Sequence, residues 1–458
     1  MSGLLSPPAP PHPGAPAWRA QAGTTPGRLR LAFGAIIVAT VLLWLAAGAG
    51  IEQTRRAIQT VGRDAVPSIV AAQRIRADLA DMDANTANVF ISNGAAVQTV
   101  KEQYEKDRRD ADDRLITAAQ NITYGDEERV PIVAITDNLE TYTGLVKAAR
   151  TKGWPYGIKD LRAASQLMHA ELIPDTDRLD QVNFNHLNAA YDGARAAASR
   201  VQAGLLLSGL VALAVLAATQ VYLTRRTRRV FNLPLLLATG TLLAFVIGMS
   251  ARLDAENELL RVAKKDCFDS IHALWKARSV SYDANGDESL YLLGPATAAQ
   301  YEQSFREKSA LLVDGDVTDA VVSDAAAGKV PTFKGYLGDE LRNITFPGEH
   351  AAAVEMLRCY GRYMAMDGQI RSLERAGRHR EAVDFCIGTQ PGQSNWGFAQ
   401  FDDALGKVLD INQKVFDSTV VKSFAALRTL PAVAAVAVLL IVVLTWLGLA
   451  PRLHEYRG

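Results

Sequence analysis

The residues best placed to do chemistry form one polar pattern that occurs twice. Asp83-Ala84-Asn85 recurs as Asp283-Ala284-Asn285, 200 positions later, in stretches that otherwise read as packed helix. A carboxylate two residues from a carboxamide can bind a small ligand or a partner. The same groups can instead hydrogen-bond across a bundle or cap a helix. Trp275, Tyr282 and Tyr291 surround the second copy, where rings could stack on a ligand or fill core. Asn185 and Asn412 are expected on a packing seam, where a buried asparagine fixes register. Arg225, Arg226, Arg228 and Arg229 crowd into 224–229. They could dock an acidic cytosolic partner or anionic lipid headgroups, or serve only to orient the chain.

Catalytic patterns are missing. The chain has no Walker loop, no His-Glu-x-x-His, no Gly-x-Ser-x-Gly and no dinucleotide fingerprint, and its 7 histidines show no metal spacing. The expectation is therefore no enzyme, no cofactor and no metal. Lys+Arg and Asp+Glu both number 49, which leaves no basic excess for nucleic acid. Cys267, Cys359 and Cys386 all fall in 252–428, and one bridge with a free thiol, or three free thiols, are both open.

These residues must be positioned by helices. Hydrophobic residues make up 49% of the 458, and they concentrate in four charge-free stretches: 31–50, 201–223, 230–251 and 429–450. Each approaches the ~20 residues that a helix needs to cross a bilayer. The first is longer than a signal-peptide core and follows a tail of about 30 residues, which favours a retained span. The spans carry no ionisable group of the kind that marks a transporter pathway. Arginine bias in the short segments puts both termini and the 224–229 hairpin in the cytoplasm. The expected order is a Pro-rich disordered tail (1–30), the first span, an extracytoplasmic segment (51–200), two spans around the hairpin, a second such segment (252–428), the fourth span and a short tail (451–458). The cytoplasmic pieces are too small for an output domain, so any message must pass to a separate protein.

The halves repeat. Asn121-Ile122-Thr123-Tyr124 recurs as Asn343-Ile344-Thr345-Phe346, and the offset grows from 200 to 222 across a Gly- and Asp-rich stretch, 314–337, that reads as an inserted loop. The triplets satisfy the glycosylation sequon, but their matching places point to a shared turn. Ile58, Val61, Ala65, Ser68, Ala72, Ile75, Leu79, Met82, Thr86 and Val89 step by three and four, as an apolar seam does. Phe398, Phe401, Leu405, Val408, Asn412, Val415 and Thr419 do the same before the fourth span. Pro67 should kink or break its helix. Gly94 and Gly294 mark the first turn of each copy. The fold class expected is an all-α membrane protein: four transmembrane helices with two duplicated extracytoplasmic four-helix bundles.

Residues 65–85 (AVPSIVAAQRIRADLADMDAN) resemble the first helix of the four-helix sensory bundles of bacterial chemoreceptors and histidine kinases. Gly377-Arg-His-Arg-Glu-Ala382 resembles their Gly-x-x-x-Glu-Ala step, and Leu405 with Asn412 resembles their last-helix pattern. A duplicated sensor on four spans without an output domain also resembles the GlnX-type membrane component of actinobacterial amino-acid sensing. That resemblance implies an extracytoplasmic amino-acid-binding lipoprotein on one side and a cytosolic Ser/Thr kinase on the other, with lipid around the spans and a homo-oligomer open. The expected function is a signal-transducing sensor component in the cell membrane. A direct small-ligand receptor, a transporter subunit and a structural scaffold are the alternatives.

Overall fold

In a bilayer, charge-free runs of Ala, Leu and Val must satisfy their backbone groups internally, and helix does this within one segment. The structure, a computed structural model, describes residues 24–91, 96–227 and 232–454. Among these residues there is no strand. Four helical runs (Thr25–Ile91, Ile158–Arg226, Leu233–Tyr291 and Ser394–Leu453) each hold a stretch long and apolar enough to cross a membrane. The protein is an all-α, multi-pass membrane protein. The Pro-rich start, Gly94, Arg228 and Arg229 lie outside the described residues.

In order, the α-helices are α1 (Thr25–Gln59), α2 (Val66–Ile91), α3 (Ala96–Gln120), α4 (Asp126–Lys152), α5 (Ile158–Leu167), α6 (Ile173–Thr227) and α7 (Leu233–Arg261). The second half contributes α8 (Asp269–Tyr291), α9 (Pro295–Leu312), α10 (Asp319–Ala326), α11 (Tyr336–Arg342), α12 (Glu349–Arg375), α13 (His379–Cys386) and α14 (Ser394–His454). They divide between two units. One contains Met1–Arg56, Gly193–Glu258 and Ser423–Gly458; the other contains Ala57–Asp192 and Leu259–Lys422.

The first unit holds the apolar stretches. Small residues let its helices approach: a Cβ on Gly209 would lie 2.7 Å from Val246 Cγ2. Thr40, Thr219, Thr241 and Thr445 donate to carbonyls of their own helices, whereas Gln220 and Asn232 bond between helices. Gln220 Nε2 donates to Leu235 O at 3.0 Å and Thr239 Oγ1 at 2.8 Å, and Asn232 Nδ2 donates to Gly448 O at 2.8 Å. Leu207, Leu210, Ile247, Val436 and Leu439 are exposed, as lipid-facing residues are.

The second unit contains both non-membrane segments. In the first, α2, α3, α4 and α5 with the start of α6 enclose a core that includes Ile75, Leu79, Tyr104, Ile135, Tyr142 and Leu172. Eight of the ten seam positions are buried, while Ser68 and Val89 are half-buried. Pro67 does not break its helix. A π-helical stretch, Thr60–Ala65, directly precedes α2, and another, Met168–Leu172, precedes Pro174 at the start of α6. A wider π turn disturbs the i→i−4 ladder, and a proline just after it lacks the N–H that the ladder would have used. In the second segment, Tyr363 meets Phe398 at 5.4 Å and Tyr360 meets Phe401 at 5.2 Å between ring centroids.

The repeated Asn-Ile-Thr elements form one kind of turn. Glu128 accepts from the backbone of Thr123 at 2.6 Å and Tyr124 at 2.7 Å. Glu349 accepts from Thr345 at 2.7 Å and Phe346 at 2.9 Å. A glycine with positive φ follows each aromatic residue, Gly125 at 66° and Gly348 at 85°, in a region open to glycine at little cost.

Two further local expectations change. The stretch 314–337 is not all loop: Thr318 Oγ1 accepts from Val321 N at 3.3 Å and caps α10 inside it. Asn185 is exposed and only pairs with Gln181, so the buried asparagine of that helix is Asn183, two residues earlier. Asn412 is buried as expected and donates to Glu349 at 2.6 Å. The three cysteines are buried free thiols, with no bridge between them.

Candidate functional site between the two segments

The helix pair that brings the two segments together is α2 with α8, the most extensive helix contact among the described residues. Alanines on α2 and the Ala284–Gly286 stretch of α8 make this close approach feasible. An ideal Cβ on Gly286 would sit 3.4 Å from the Cβ of Ala84. Both helices are therefore buried on two faces, one toward their own segment and one toward each other.

Charged groups are buried along this contact. Asp83 accepts from Ser165 Oγ at 2.8 Å and Tyr142 OH at 3.1 Å. Asp283 accepts from Lys308 Nζ at 2.7 Å, and the same ammonium reaches Asp287 at 2.6 Å. His169 stands between the two repeated aspartates, 3.4 Å from Asp83 and 3.5 Å from Asp283. Burial works against its charged form, yet the bond to Asp83 and the charges of Asp283 and Asp83 hold the imidazole above its usual pKa. Arg76 crosses from α2 to Ser279 at 2.8 Å. These groups pair largely with one another, although Nε of Arg76, 3.0 Å from Asp177, has no well-directed hydrogen bond.

Beside this seam lies a cavity of about 170 Å3. Its walls are Arg74, Asp78 and Asp81 of α2, Gln103, Asp107 and Asp110 of α3, and Trp275, Arg278 and Tyr282 of α8, among others. Arg74 and Arg278 lie over the Trp275 ring at 5.0 and 5.3 Å. Arg278 donates to Asp402 at 2.6 Å, as Tyr282 OH does at 3.0 Å. Asn85 Nδ2 donates to Asp81 at 3.0 Å and Asp107 at 3.2 Å, joining α2 to α3. Burial pushes Asp78 up to about 7 although Arg114 opposes it, and burial pushes Asp107 up to about 6. Asp81 is also raised, by burial and then by the charge of Asp107. Burial favours the neutral acid at these positions, and a cation entering among them would favour the charged form instead.

Of the residues singled out from sequence, Trp275 and Tyr282 line the cavity and Asn85 braces its acidic wall. Asp83 and Asp283 belong to the adjoining closed seam. Asn285 faces the second segment's interior, 3.5 Å from Tyr363 OH. Arg225 and Arg226 are exposed at the end of α6.

Residues 57–192 match the family model described as the actinobacterial sensor domain. The match supports an actinobacterial sensor protein. No curated protein and no solved structure matches the chain. The matched residues supply Asp78, Asp81 and Asp107, which sequence reasoning missed, and residues 259–422 supply Trp275, Arg278 and Tyr282. The signal available was the helical spacing of Gln103, Lys106, Asp107, Asp110 and Arg114, a pattern that in isolation reads as a solvated face.

Proposed function

We propose that the protein is a signal-transducing sensor component that relays extracytoplasmic amino-acid availability to a cytosolic Ser/Thr kinase. The observation that carries this reading is the acidic, aromatic-walled cavity lined by both α2 and α8. Those helices belong to the runs Thr25–Ile91 and Leu233–Tyr291, each of which also holds a span. A ligand that prefers one packing of α2 on α8 shifts the equilibrium by its difference in affinity, and by no more. An amino acid offers an ammonium to Asp78, Asp81 and Asp107 and a carboxylate to Arg74. The cavity is smaller than the ~300–1,000 Å3 of common ligand pockets. That size favours a small amino acid bound directly. It also leaves room for a second reading, in which a binding lipoprotein detects the amino acid and docks on the segments, as in GlnX-type systems.

Cross-linking tests the relay. The 3.4 Å approach of Gly286 to Ala84 is within a few tenths of an ångström of the Cβ spacing in disulfides. Oxidising an Ala84→Cys, Gly286→Cys variant should fix α2 on α8. Phosphorylation of the kinase's targets should then ignore added amino acid until a reductant is supplied. A normal response from fully cross-linked protein removes this helix pair from the mechanism.

The same reading places both termini and the arginine hairpin inside the cell. A cysteine replacing Thr224 should therefore resist an impermeant thiol reagent in intact cells and react after lysis. Labelling of intact cells overturns the orientation.

A further inference from the structure

Beyond that reading, we propose a second ligand site, wholly within the second segment, that takes an α-amino acid with an apolar side chain by its zwitterionic backbone. A cavity of about 510 Å3 lies between α9 and α12, with Tyr291 of α8 at its edge. It shares no lining residue with the cavity between α2, α3 and α8. Its volume falls within the ~300–1,000 Å3 typical of small-molecule sites.

The argument rests on Arg371 and Asp367. Arg371 is 7% exposed, and its guanidinium lies 3.9 Å from the Tyr291 ring centroid and 5.2 Å from that of Phe305. Its Nη2 lies 2.8 Å from Asp367 Oδ1, so the charges match. Hydrogen bonding does not: Nη1 and Nη2 of Arg371 and Oδ1 of Asp367 are buried without a well-directed partner. Buried polar groups left in that condition are costly, and a guanidinium presents five donors in a fixed fork. The molecule that completes this pair carries two acceptor oxygens and a donor cation close together. A carboxylate across Nη1 and Nη2, with an ammonium on Asp367, meets both needs. The remaining charges of the lining balance, Arg306 and Arg375 against Glu302 and Asp316, which disfavours a polyanion or a polyamine. Tyr360, Met364 and Ala310 leave an apolar side for the ligand's side chain.

Calorimetry on the full-length protein in nanodiscs tests this with L-phenylalanine, 3-phenylpropionate and phenethylamine as probes. L-phenylalanine should bind, and the two half-ligands should bind at least tenfold more weakly. Arg371→Lys keeps the charge but loses the fork, and should weaken L-phenylalanine at least tenfold. Ala310→Trp, at the exposed rim, should block the cavity without touching the buried pair, which keeps the test independent of any folding defect in Arg371→Lys. Arg74→Ala, in the other cavity, should leave this binding intact. The proposal is overturned if L-phenylalanine gives no heat at millimolar concentration, or if either half-ligand binds as well. It also fails if Arg74→Ala, and not Ala310→Trp, removes binding; the heat would then belong to the cavity between the segments.

Discussion

Lys308→Met should lower the stability of the full-length protein by roughly 3–5 kcal/mol, the range for removing one partner of a buried ion pair. Its ammonium lies 2.7 Å from Asp283 and 2.6 Å from Asp287, both of them buried. Burial alone would raise Asp283, but Lys308, His169 and Arg76 outweigh it and hold the carboxyl below its ordinary range. For Asp287, burial wins and the carboxyl rises. Without Lys308 two carboxylates would share one dry site. Methionine keeps the side-chain volume, so lost charge and not a cavity should dominate the effect. Adding Asp283→Asn should recover a large part of the loss, because one of the two stranded charges is then gone. Denaturant unfolding of the single and double variants measures both quantities. A loss under about 1 kcal/mol, the scale of an exposed pair, would mean that water reaches these carboxylates.

A second large effect should appear as pH dependence, and it comes from the short helix that follows the inserted stretch. Helix α11 brings Glu340 beside Glu349, and both Glu340 oxygens are buried without a hydrogen-bond partner in good geometry. Burial, then the charge of Glu349, pushes Glu340 up to about 8 from an ordinary 4.5. The protonated acid is thus the form the fold prefers. Its contribution is fully present below about pH 4.5, where folded and unfolded chains both hold the proton. As pH rises from there to about 8, the unfolded chain has released its proton and the folded one has not. Stability then falls by about 1.4 kcal/mol per pH unit and levels off above that window. Glu340→Gln mimics the neutral acid and should flatten the slope, so the variant should be the more stable protein at pH 8 and nearly equal at pH 4.5. Melting temperatures of both proteins across this range provide the check. Parallel curves would show that Glu340 ionises freely in the folded state.

Sequence periodicity reads one apolar stripe per helix well. The Ile58-to-Val89 seam followed from it, whereas the spans followed from the charge-free runs and the paired turns from the repeated Asn-Ile-Thr triplets. Periodicity could not read the second face of α2 or α8. There the buried residues are Gln73, Arg76, Asp83, Ser279 and Asp283, mixed with alanines, and such a face looks solvated until its partner is known. Trp275 and Tyr282 stood out because they are large, whereas Asp78, Asp81 and Asp107 were indistinguishable from surface carboxylates. Asn185 stands 227 positions before Asn412, close to the offset between the second and fourth spans, yet the buried asparagine is Asn183. The π-helical stretches shift helical phase by a residue, which defeats simple offset counting.

The buried cysteines make the protein convenient for spectroscopy. Burial pushes the Cys267 thiol up to about 12 and the Cys359 thiol up to about 11, and it raises Cys386 as well. Reaction with maleimides or nitroxides needs an exposed thiolate, so at neutral pH these sulfurs stay dark without being replaced. A single cysteine introduced at an exposed site such as Tyr156 or Val330 would then carry the only label. Distances between two such labels could be followed as ligand is added, in protein that keeps its three own cysteines.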